Sequence, residues 1–415
     1  MNKPWRIRIK ARVLLMPVML SGSLLPAEIL SLPKALETAE RLNPLLGAAD
    51  AGRDVAQAGI LSAKGRPNPE TTVIAGKQTG QLPGAPENGV PFYAVTQPLE
   101  LGPLRQRRID LAQRGRESSG FAFEEVRLAV LSQVRRTFYQ VLRRTREIAI
   151  ATENLRAVED FRNRIRVRVS VGEIGRLELI RAEAEVASAR SQASSAELER
   201  VIAMGQFRAA VGGPLDADIE LQGDLDPPPA LPTLEEIRRE AIDRHPALAV
   251  ARSEVRRSEA RLEYEKSLRR PQPALRAEVD MTSPSYRMGI VLPLPMFNRR
   301  EGPIAEAVAS VRQISAEAQA RQIDIVAALE SAYGRFAVSN QQVQALEGGL
   351  LLEADEAVRA AQTAYQLGER GILEVLDAQR VLRTVQLNLL NAQFDREAAL
   401  IDLDELRSID LRNKP

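Results

Sequence analysis

The sequence predicts a mostly α-helical chain with a small β part, in which one unit of helices and strands occurs twice. The first observation is composition: only 4% of the residues are aromatic, and Ala, Leu, Glu and Arg dominate, as in long helices and coiled coils. The second is the recurrence of apolar residues every seven positions over long stretches. The third is a set of four segments that occur in the same order in both halves.

The composition excludes several classes of protein. The 415 residues include no Cys and one His, and the formal net charge is +2. The chain therefore has no disulfide, no thiol nucleophile and no acylated cysteine, and it lacks the residues of a His-cluster metal site or of most acid–base catalysts. Acidic and basic residues are interspersed, which argues against nucleic acid as a partner. We expect no catalytic residues, no cofactor and no metal site.

Residues 1–27 have the pattern of a secretory signal peptide. Five Lys and Arg residues lie among the first twelve positions, and an apolar stretch follows at 13–25. A short membrane anchor is the alternative, but Pro17 interrupts this stretch, which is shorter than the roughly 20 apolar residues of a spanning helix. We expect export, with cleavage near Ser21–Ser23 or after Ala27.

The remainder of the chain contains two copies of one pattern. The first matched pair is offset by 202 residues and the last by 196. The matched pairs are Leu32–Pro44 with Leu234–Pro246, Arg66–Pro69 with Arg270–Pro273, Gln97–Leu99 with Leu292–Leu294, and Val171–Glu178 with Leu367–Glu374. We therefore predict a first structural repeat at 28–224, a proline-rich linker at 225–232 and a second repeat at 233–415.

Each repeat begins with a helix that a proline breaks near its tenth residue. These helices are predicted at about 34–64 and 235–268, with breaks at Asn43-Pro44 and His245-Pro246. His245, the only histidine, thus aligns with Asn43. We interpret it as a polar residue ahead of a helix break rather than as a catalytic group.

Two strands follow in each repeat and form the predicted membrane β part. Apolar residues alternate with charged ones along Leu275–Met281, and a turn leads to a partner strand at Tyr286–Leu292. The first repeat has weaker strands at Thr71–Gly76 and Val90–Leu99. A soluble sheet half-covered by helices fits the alternation equally well. Four strands cannot close a barrel, however, so we expect their edges to pair with other subunits.

Each repeat ends in a long antiparallel helical hairpin. Residues 104–169 contain no proline, and such a helix would be about 100 Å long. The apolar residues that recur every seven positions, as in a left-handed coiled coil, are Val134, Val141, Ile148 and Leu155. Returning helices are predicted at about 177–211 and 372–407. The small residues expected on the seam of the first returning helix are Ala184, Ala187, Ser191 and Ser194.

The signal peptide, the duplication, the paired strands and the hairpins together resemble the TolC-type outer-membrane factors of Gram-negative tripartite efflux and secretion systems. The most specific motifs are the turns Val171–Gly175 and Leu367–Gly371, each followed by a Leu-Glu-x-x-x-Ala pattern. The segment Leu292–Arg299 is similar to the branch that serves cobalt, zinc and cadmium efflux by resistance-nodulation-division pumps. The resemblance implies a homotrimer, in which each chain gives four strands to a twelve-stranded β-barrel and helices to an α-barrel tunnel.

The resemblance also implies two sets of site residues. Glu374 and Asp377 match the family's aperture aspartates, which form acidic rings at the periplasmic mouth. Without the resemblance they would be interpreted as solvated acids on one helical face. Glu178 and Arg181 occupy the equivalent places in the first repeat. The hairpin tips expected to dock the adaptor are Val171, Gly172, Glu173 and Gly175 in the first repeat, and Leu367, Gly368, Glu369 and Gly371 in the second.

The function implied by the resemblance is that of a passive exit duct and not of an enzyme. It would lie in the outer-membrane lipid, extend into the periplasm, and work with a periplasmic adaptor protein and an inner-membrane resistance-nodulation-division pump. Divalent heavy-metal cations are the expected cargo. A duct of the same fold for organic-molecule efflux or type I protein secretion stays open. A non-channel periplasmic coiled-coil scaffold is the alternative of a different class, and it would not need paired amphipathic strands.

Overall fold

The computed structural model describes residues 29–75, 92–215, 219–225, 231–281 and 285–409. The predicted signal peptide and most of the predicted linker lie outside these residues. The helices are α1 (Leu32–Leu42), α2 (Pro44–Lys64), α3 (Leu104–Ser170), α4 (Arg176–Val211), α5 (Leu234–Arg244), α6 (Pro246–Ser267), α7 (Glu301–Ala345), α8 (Leu351–Gln366) and α9 (Ile372–Leu406). The strands are β1 (Ile29–Ser31), β2 (Glu70–Ile74), β3 (Phe92–Pro98), β4 (Glu220–Gln222), β5 (Ala274–Asp280) and β6 (Ser285–Val291).

In both repeats, the residue before the helix-breaking proline caps the helix that follows. The Asn43 side chain accepts a hydrogen bond from the Leu45 N–H at 2.9 Å, which caps α2. His245 Nδ1 accepts from the Ala247 N–H at 3.1 Å and caps α6. The predicted equivalence of the two residues is confirmed, and His245 serves as a helix cap.

The long helices follow the predicted positions. α3 is continuous over 67 residues, and its seam residues Val134 and Val141 are buried. In the second repeat, the π-helical segment Leu346–Leu350 separates α7 from α8, and Gly349 within it has non-helical backbone angles. This interruption was not predicted.

The packed stripe of α4 differs from the prediction. The four small residues expected on its seam are exposed in the chain. The buried small residues lie on a different stripe, which comprises Ala182, Ala189, Ala193 and Ala196. The prediction was wrong because Ala and Ser occur on every face of α4, so residue size does not distinguish the buried stripe.

The longer strands form one antiparallel sheet in the order β2-β3-β5-β6. These are the four predicted strands, although Gly76 and Val90 of the predicted ranges lie outside the described residues. Apolar side chains on one face are exposed: Val279 is 43% exposed and Met288 73%. On the other face, Glu278 pairs with Arg276 at 2.6 Å. The exposed apolar face is the reverse of a water-soluble sheet, which buries that face.

Two further strands were missed in the sequence. β1 and β4 form a separate parallel pair, so the described residues contain more strands than the two predicted in each repeat. Each has three residues, too few for an alternation to be recognised. Leu30 of β1 joins the main core cluster with Leu36, Phe138 and Phe207, which belong to α1, α3 and α4. This cluster lies between the sheet and the hairpin tips.

Candidate functional site: the hairpin tips and the start of α9

The two hairpin tips have the same backbone geometry. Gly172 and Gly368 have φ angles of 78° and 76°, the left-handed conformation that glycine adopts at low cost. The Glu173 N–H donates to the Arg168 carbonyl at 2.9 Å, and the Glu369 N–H donates to the Ala364 carbonyl at 2.9 Å. These are the bonds of a Schellman motif, which ends α3 and α8 in the same way.

The tips present apolar side chains to the surroundings. Val171 is 71% exposed and Leu367 is 69% exposed, at equivalent places in the two turns. Gly175 and Gly371 then begin α4 and α9 with extended backbone. The predicted tip residues therefore lie at the ends of the hairpins and are accessible to another molecule.

Glu374 and Asp377 lie at the start of α9, directly after the second tip. Both side chains are exposed. Asp377, 68% exposed, contacts Arg380 at 3.4 Å, whereas the main partner of Arg380 is Glu185 of α4 at 2.6 Å. The structure thus brings both acids together near the second tip, with a basic neighbour that was not predicted.

The equivalent positions of the first repeat carry a different charge pattern. Glu178 and Arg181 lie at the start of α4, and Arg181 Nη1 is 3.7 Å from Glu178 Oε1. Their charges offset each other, whereas Glu374 and Asp377 are both negative. Excess negative charge is therefore found at the second tip only.

A cluster that the sequence did not reveal holds the two tips together. Arg168 donates to Glu173 at 2.5 Å, and its guanidinium lies 5.0 Å from the centre of the Tyr365 ring in the other hairpin. Burial raises the pKa of the Tyr365 hydroxyl; the Glu178 carboxylate adds to this, and Arg168 opposes it. The apolar part of the cluster comprises Phe161, Ile165, Ala182, Tyr365, Ile372, Val375 and Leu376.

A signal for this cluster exists in the comparison of the repeats. Arg168 aligns with Ala364, and Tyr365 aligns with Val169, so each tip carries one large side chain that the other lacks. Such differences between otherwise matching turns indicate where one hairpin contacts the other.

The described residues of the tips offer acidic and basic side chains at the surface. No group of three or more His, Asp or Glu side chains among them is arranged to hold a metal ion. No described helix combines the length and the apolar character that a transmembrane helix requires. What the tips offer is a charged surface and exposed turns, which suit contact and passage.

The sheet with its exposed apolar face, continued by long hairpins with exposed tips, defines the architecture of an outer-membrane channel of the TolC type. The chain belongs to the outer membrane efflux protein family, whose model matches residues 35–213 and 237–407. The two matched segments confirm the internal duplication. The protein is therefore an outer-membrane efflux channel that extends into the periplasm, and not an enzyme.

Individual relatives agree with this family. The cobalt-zinc-cadmium resistance protein CzcC of Cupriavidus metallidurans is 27% identical over 91% of this chain and 90% of its own length. The nickel-cobalt-cadmium resistance protein NccC of Alcaligenes xylosoxydans xylosoxydans is 23% identical over 78% of this chain and 74% of its own. A crystal structure of CusC superimposes with a TM-score of 0.77 at 16% identity, covering 91% of each chain.

Proposed function

We propose that the chain forms a homotrimeric exit duct for divalent heavy-metal cations, which it receives from a resistance-nodulation-division pump through a periplasmic adaptor. The similarity to CzcC along nearly the whole chain carries this proposal. The polar face of the sheet, with Glu278 between Arg276 and Arg287, suits a water-filled lumen. The unpaired edges of β2 and β6 require neighbouring copies, because lipid cannot satisfy backbone groups.

The cargo is tested by export in cells. A Gram-negative host that lacks its own duct is given the chain together with a resistance-nodulation-division pump and a periplasmic adaptor, and growth is measured in cobalt, zinc or cadmium and in organic toxicants. We expect resistance to the metals to rise several-fold, with no change for the organic compounds. Resistance to organic compounds alone would favour the duct for organic molecules.

The acidic pair at the second tip is proposed as the periplasmic gate. Glu374 and Asp377 are exposed, and in a trimer each position occurs three times around one axis, which gives stacked acidic rings. In planar bilayers, the double variant Glu374→Gln and Asp377→Asn should lose most of the cation preference and the block by multivalent cations. Glu178→Gln is the matched control with a smaller effect. Identical selectivity in all three proteins would mean that the acids are only solvated surface.

The tips are proposed as the docking site for the adaptor. Bulky replacements at Gly172 or Gly368 should abolish export while trimers persist, but they also strain a left-handed backbone. Val171→Glu and Leu367→Glu change only the exposed apolar side chains, and Gly172→Ala and Gly368→Ala serve as controls for strain alone. We expect the Glu variants to block export at normal trimer levels. Normal export in both would exclude docking at the tips.

A further inference from the structure

The junction between the sheet and the long helices carries exposed apolar side chains that the core does not use. Phe297, which follows β6, is 98% exposed, and Met296 is 68% exposed. In the first repeat, Leu101 after β3 is 54% exposed, although β5 of the second repeat already lies beside β3. The Leu101 N–H donates to the Gln272 side chain at 3.1 Å, so this junction is tied to the second repeat and still leaves the Leu101 side chain open.

These side chains lie where the apolar face of the sheet ends. Every second residue from Tyr286 to Leu294 is apolar and exposed, a run of eight steps. Such a run covers about 27 Å when extended, and at a strand tilt of about 40° it rises about 20 Å, most of the roughly 25 Å apolar band of outer-membrane barrels. The Met296 N–H donates to the Leu294 carbonyl at 2.9 Å, so a turn ends the run. Met296 and Phe297 therefore lie at the periplasmic boundary of the lipid.

Basic side chains lie at the same boundary. Arg66 and Arg270 begin the matched Arg-Pro-x-Pro segments, which lead into β2 and β5. A Cβ added at Gly102, the residue after Leu101, would lie 3.4 Å from Arg270 Nη1. A guanidinium and an exposed apolar side chain are therefore neighbours at this junction.

We call the junction residues 64–70, 99–105, 268–274 and 292–301 the collar. The exposed basic residues of the collar that form no ion pair with any described residue are Lys64, Arg66, Arg269, Arg270 and Arg299. The exposed acidic residues of the collar that form no such pair are Glu70 and Glu301. The collar thus presents an excess of positive charge at the level where the headgroups of the periplasm-facing leaflet lie.

We propose that the collar binds anionic phospholipid of the periplasm-facing leaflet of the outer membrane. Guanidinium groups bind phosphate oxygens through paired hydrogen bonds, and basic side chains beside a membrane surface favour anionic headgroups. Phe297 enters the boundary between the headgroups and the acyl chains, as aromatic residues do at both ends of membrane barrels. This inference goes beyond the proposed function, because it concerns the lipid around the duct and holds for any cargo.

A single tryptophan reports which lipid lies at the collar. The natural chain has one tryptophan, Trp5, in the predicted signal peptide, so Phe297→Trp is the only such fluorophore once that segment is removed. The variant is reconstituted in vesicles of phosphatidylethanolamine and phosphatidylglycerol, in which an equal fraction of one lipid or the other carries quenching bromine atoms. We expect brominated phosphatidylglycerol to quench about twofold more strongly than brominated phosphatidylethanolamine. High salt should remove the difference, because it screens the charges.

Tyr286→Trp is the control for position. Tyr286 lies at the opposite end of the same apolar run and is exposed, so the two brominated lipids should quench this variant equally. Equal quenching of Phe297→Trp by the two lipids would overturn the inferred preference. No quenching of Phe297→Trp by either lipid would mean that protein covers this position, and it would overturn the collar as a lipid site.

Neutral replacements test the basic side chains. Added to Phe297→Trp, three changes in the collar should abolish the difference between the lipids: Arg66→Gln, Arg270→Gln and Arg299→Gln. The same loss of charge on α5 should leave the difference intact, and its changes are Arg238→Gln, Arg239→Gln and Arg244→Gln. A difference that persists without the collar arginines would contradict their role.

Free phosphate is distinguished from lipid in the same vesicles. Loss of the difference on addition of inorganic phosphate, but not of chloride at equal ionic strength, would assign the collar to free phosphate and overturn the lipid site. None of these results depends on metal export, which the growth assay measures separately.

Discussion

The helices that lead from the sheet to the two hairpin tips, α3 in the first repeat and α7 with α8 in the second, differ although both repeats follow one sequence pattern. α3 is continuous, whereas α7 and α8 are separated by the π segment at Leu346–Leu350. Matched residues are 195 apart before this segment, at Gln97 and Leu292, but 196 apart at the tips. The second repeat thus has one extra residue, and the wider π turn absorbs it.

The core on which each hairpin rests also differs. In the first repeat, Phe138 is buried among residues from α1, α4 and β1. Its equivalent in the second repeat, Tyr333, is only half-buried and packs at the edge of a smaller cluster around Leu329. The first repeat is therefore the better packed of the two, and the second contains the less regular helix.

Deletion of one residue distinguishes the hairpins most strongly. Removal of Gly349 should convert the π segment into regular α-helix, because it removes the extra residue, and trimers should persist. Removal of Thr152 at a similar level of α3 should abolish folding, because it rotates the rest of that helix by about 100° and misaligns its seam. Trimer yield in outer membranes measures both. Equal yields from the two deletions would show that the π segment does not absorb an insertion.

Truncation of the matched aromatic residues is expected to have the next largest effect. Phe138→Ala should lower the free energy of unfolding by about 3–5 kcal/mol, because it leaves a cavity in the main cluster. Tyr333→Ala, the equivalent change, should cost clearly less because its side chain is half-buried. Denaturant unfolding in detergent, followed by circular dichroism, compares them. Equal losses would argue against a firmer first repeat.

The two helix caps should respond differently to acid. Burial, with a smaller effect of Arg321, lowers the pKa of His245 to about 4. The unfolded chain has the ordinary histidine pKa of about 6.5, so it takes up the proton first as the pH falls. The contribution of His245 to the free energy of unfolding is therefore constant above about pH 6.5. This contribution is lost as the pH falls from about 6.5 to about 4.

His245→Asn provides the matched control for this prediction. Asparagine is the cap that the first repeat uses at Asn43, so the variant keeps the cap and removes the titration. Thermal unfolding from pH 7 to pH 4 should decline less steeply in the variant than in the natural chain. An identical decline would assign the acid sensitivity to other groups.

The smallest expected effect concerns the tips. Arg168→Ala gives the first tip the residue that the second has at Ala364, and it removes the contacts with Glu173 and Tyr365. We expect the unfolding midpoint to change by no more than about 2 °C, because partly exposed ion pairs contribute little. Amide hydrogen exchange at 168–175 should become faster. Unchanged exchange would show that Arg168 does not tie the tips.

Much of the fold could be predicted because its sequence signals are periodic or come from proline, which breaks helices. The heptad repeat predicted α3, the alternation of apolar and charged residues predicted β5 and β6, and the prolines predicted the helix breaks at Asn43 and His245. The prediction of the buried stripe of α4 was wrong because alanine and serine occur on every face of this helix and do not indicate which face is buried. β1 and β4 were missed because three residues show no period. The π segment could have been predicted from the change in offset between the matched segments.

The candidate site was predicted only in part, for a different reason. Glycines at 172 and 368 indicate turns by themselves, since a left-handed helix end favours glycine. The contacts of Arg380 with Glu185 and of Arg168 with Tyr365 join separate helices, and no local pattern encodes them. The proposed roles of Glu374 and Asp377 remain predictions for the bilayer experiment.

The open edges of the sheet have a consequence for the kinetics of biogenesis. The helices of one chain contain their own hydrogen-bond partners, so they can form in a first-order process at any concentration. Within the sheet, β2 pairs with β3 and β6 pairs with β5, but the outer edges of β2 and β6 find partners only on other chains, so completion of the sheet depends on collisions. We expect the rate of this last step to rise with the density of chains at the membrane, and the half-finished sheet to persist longest when expression is lowest.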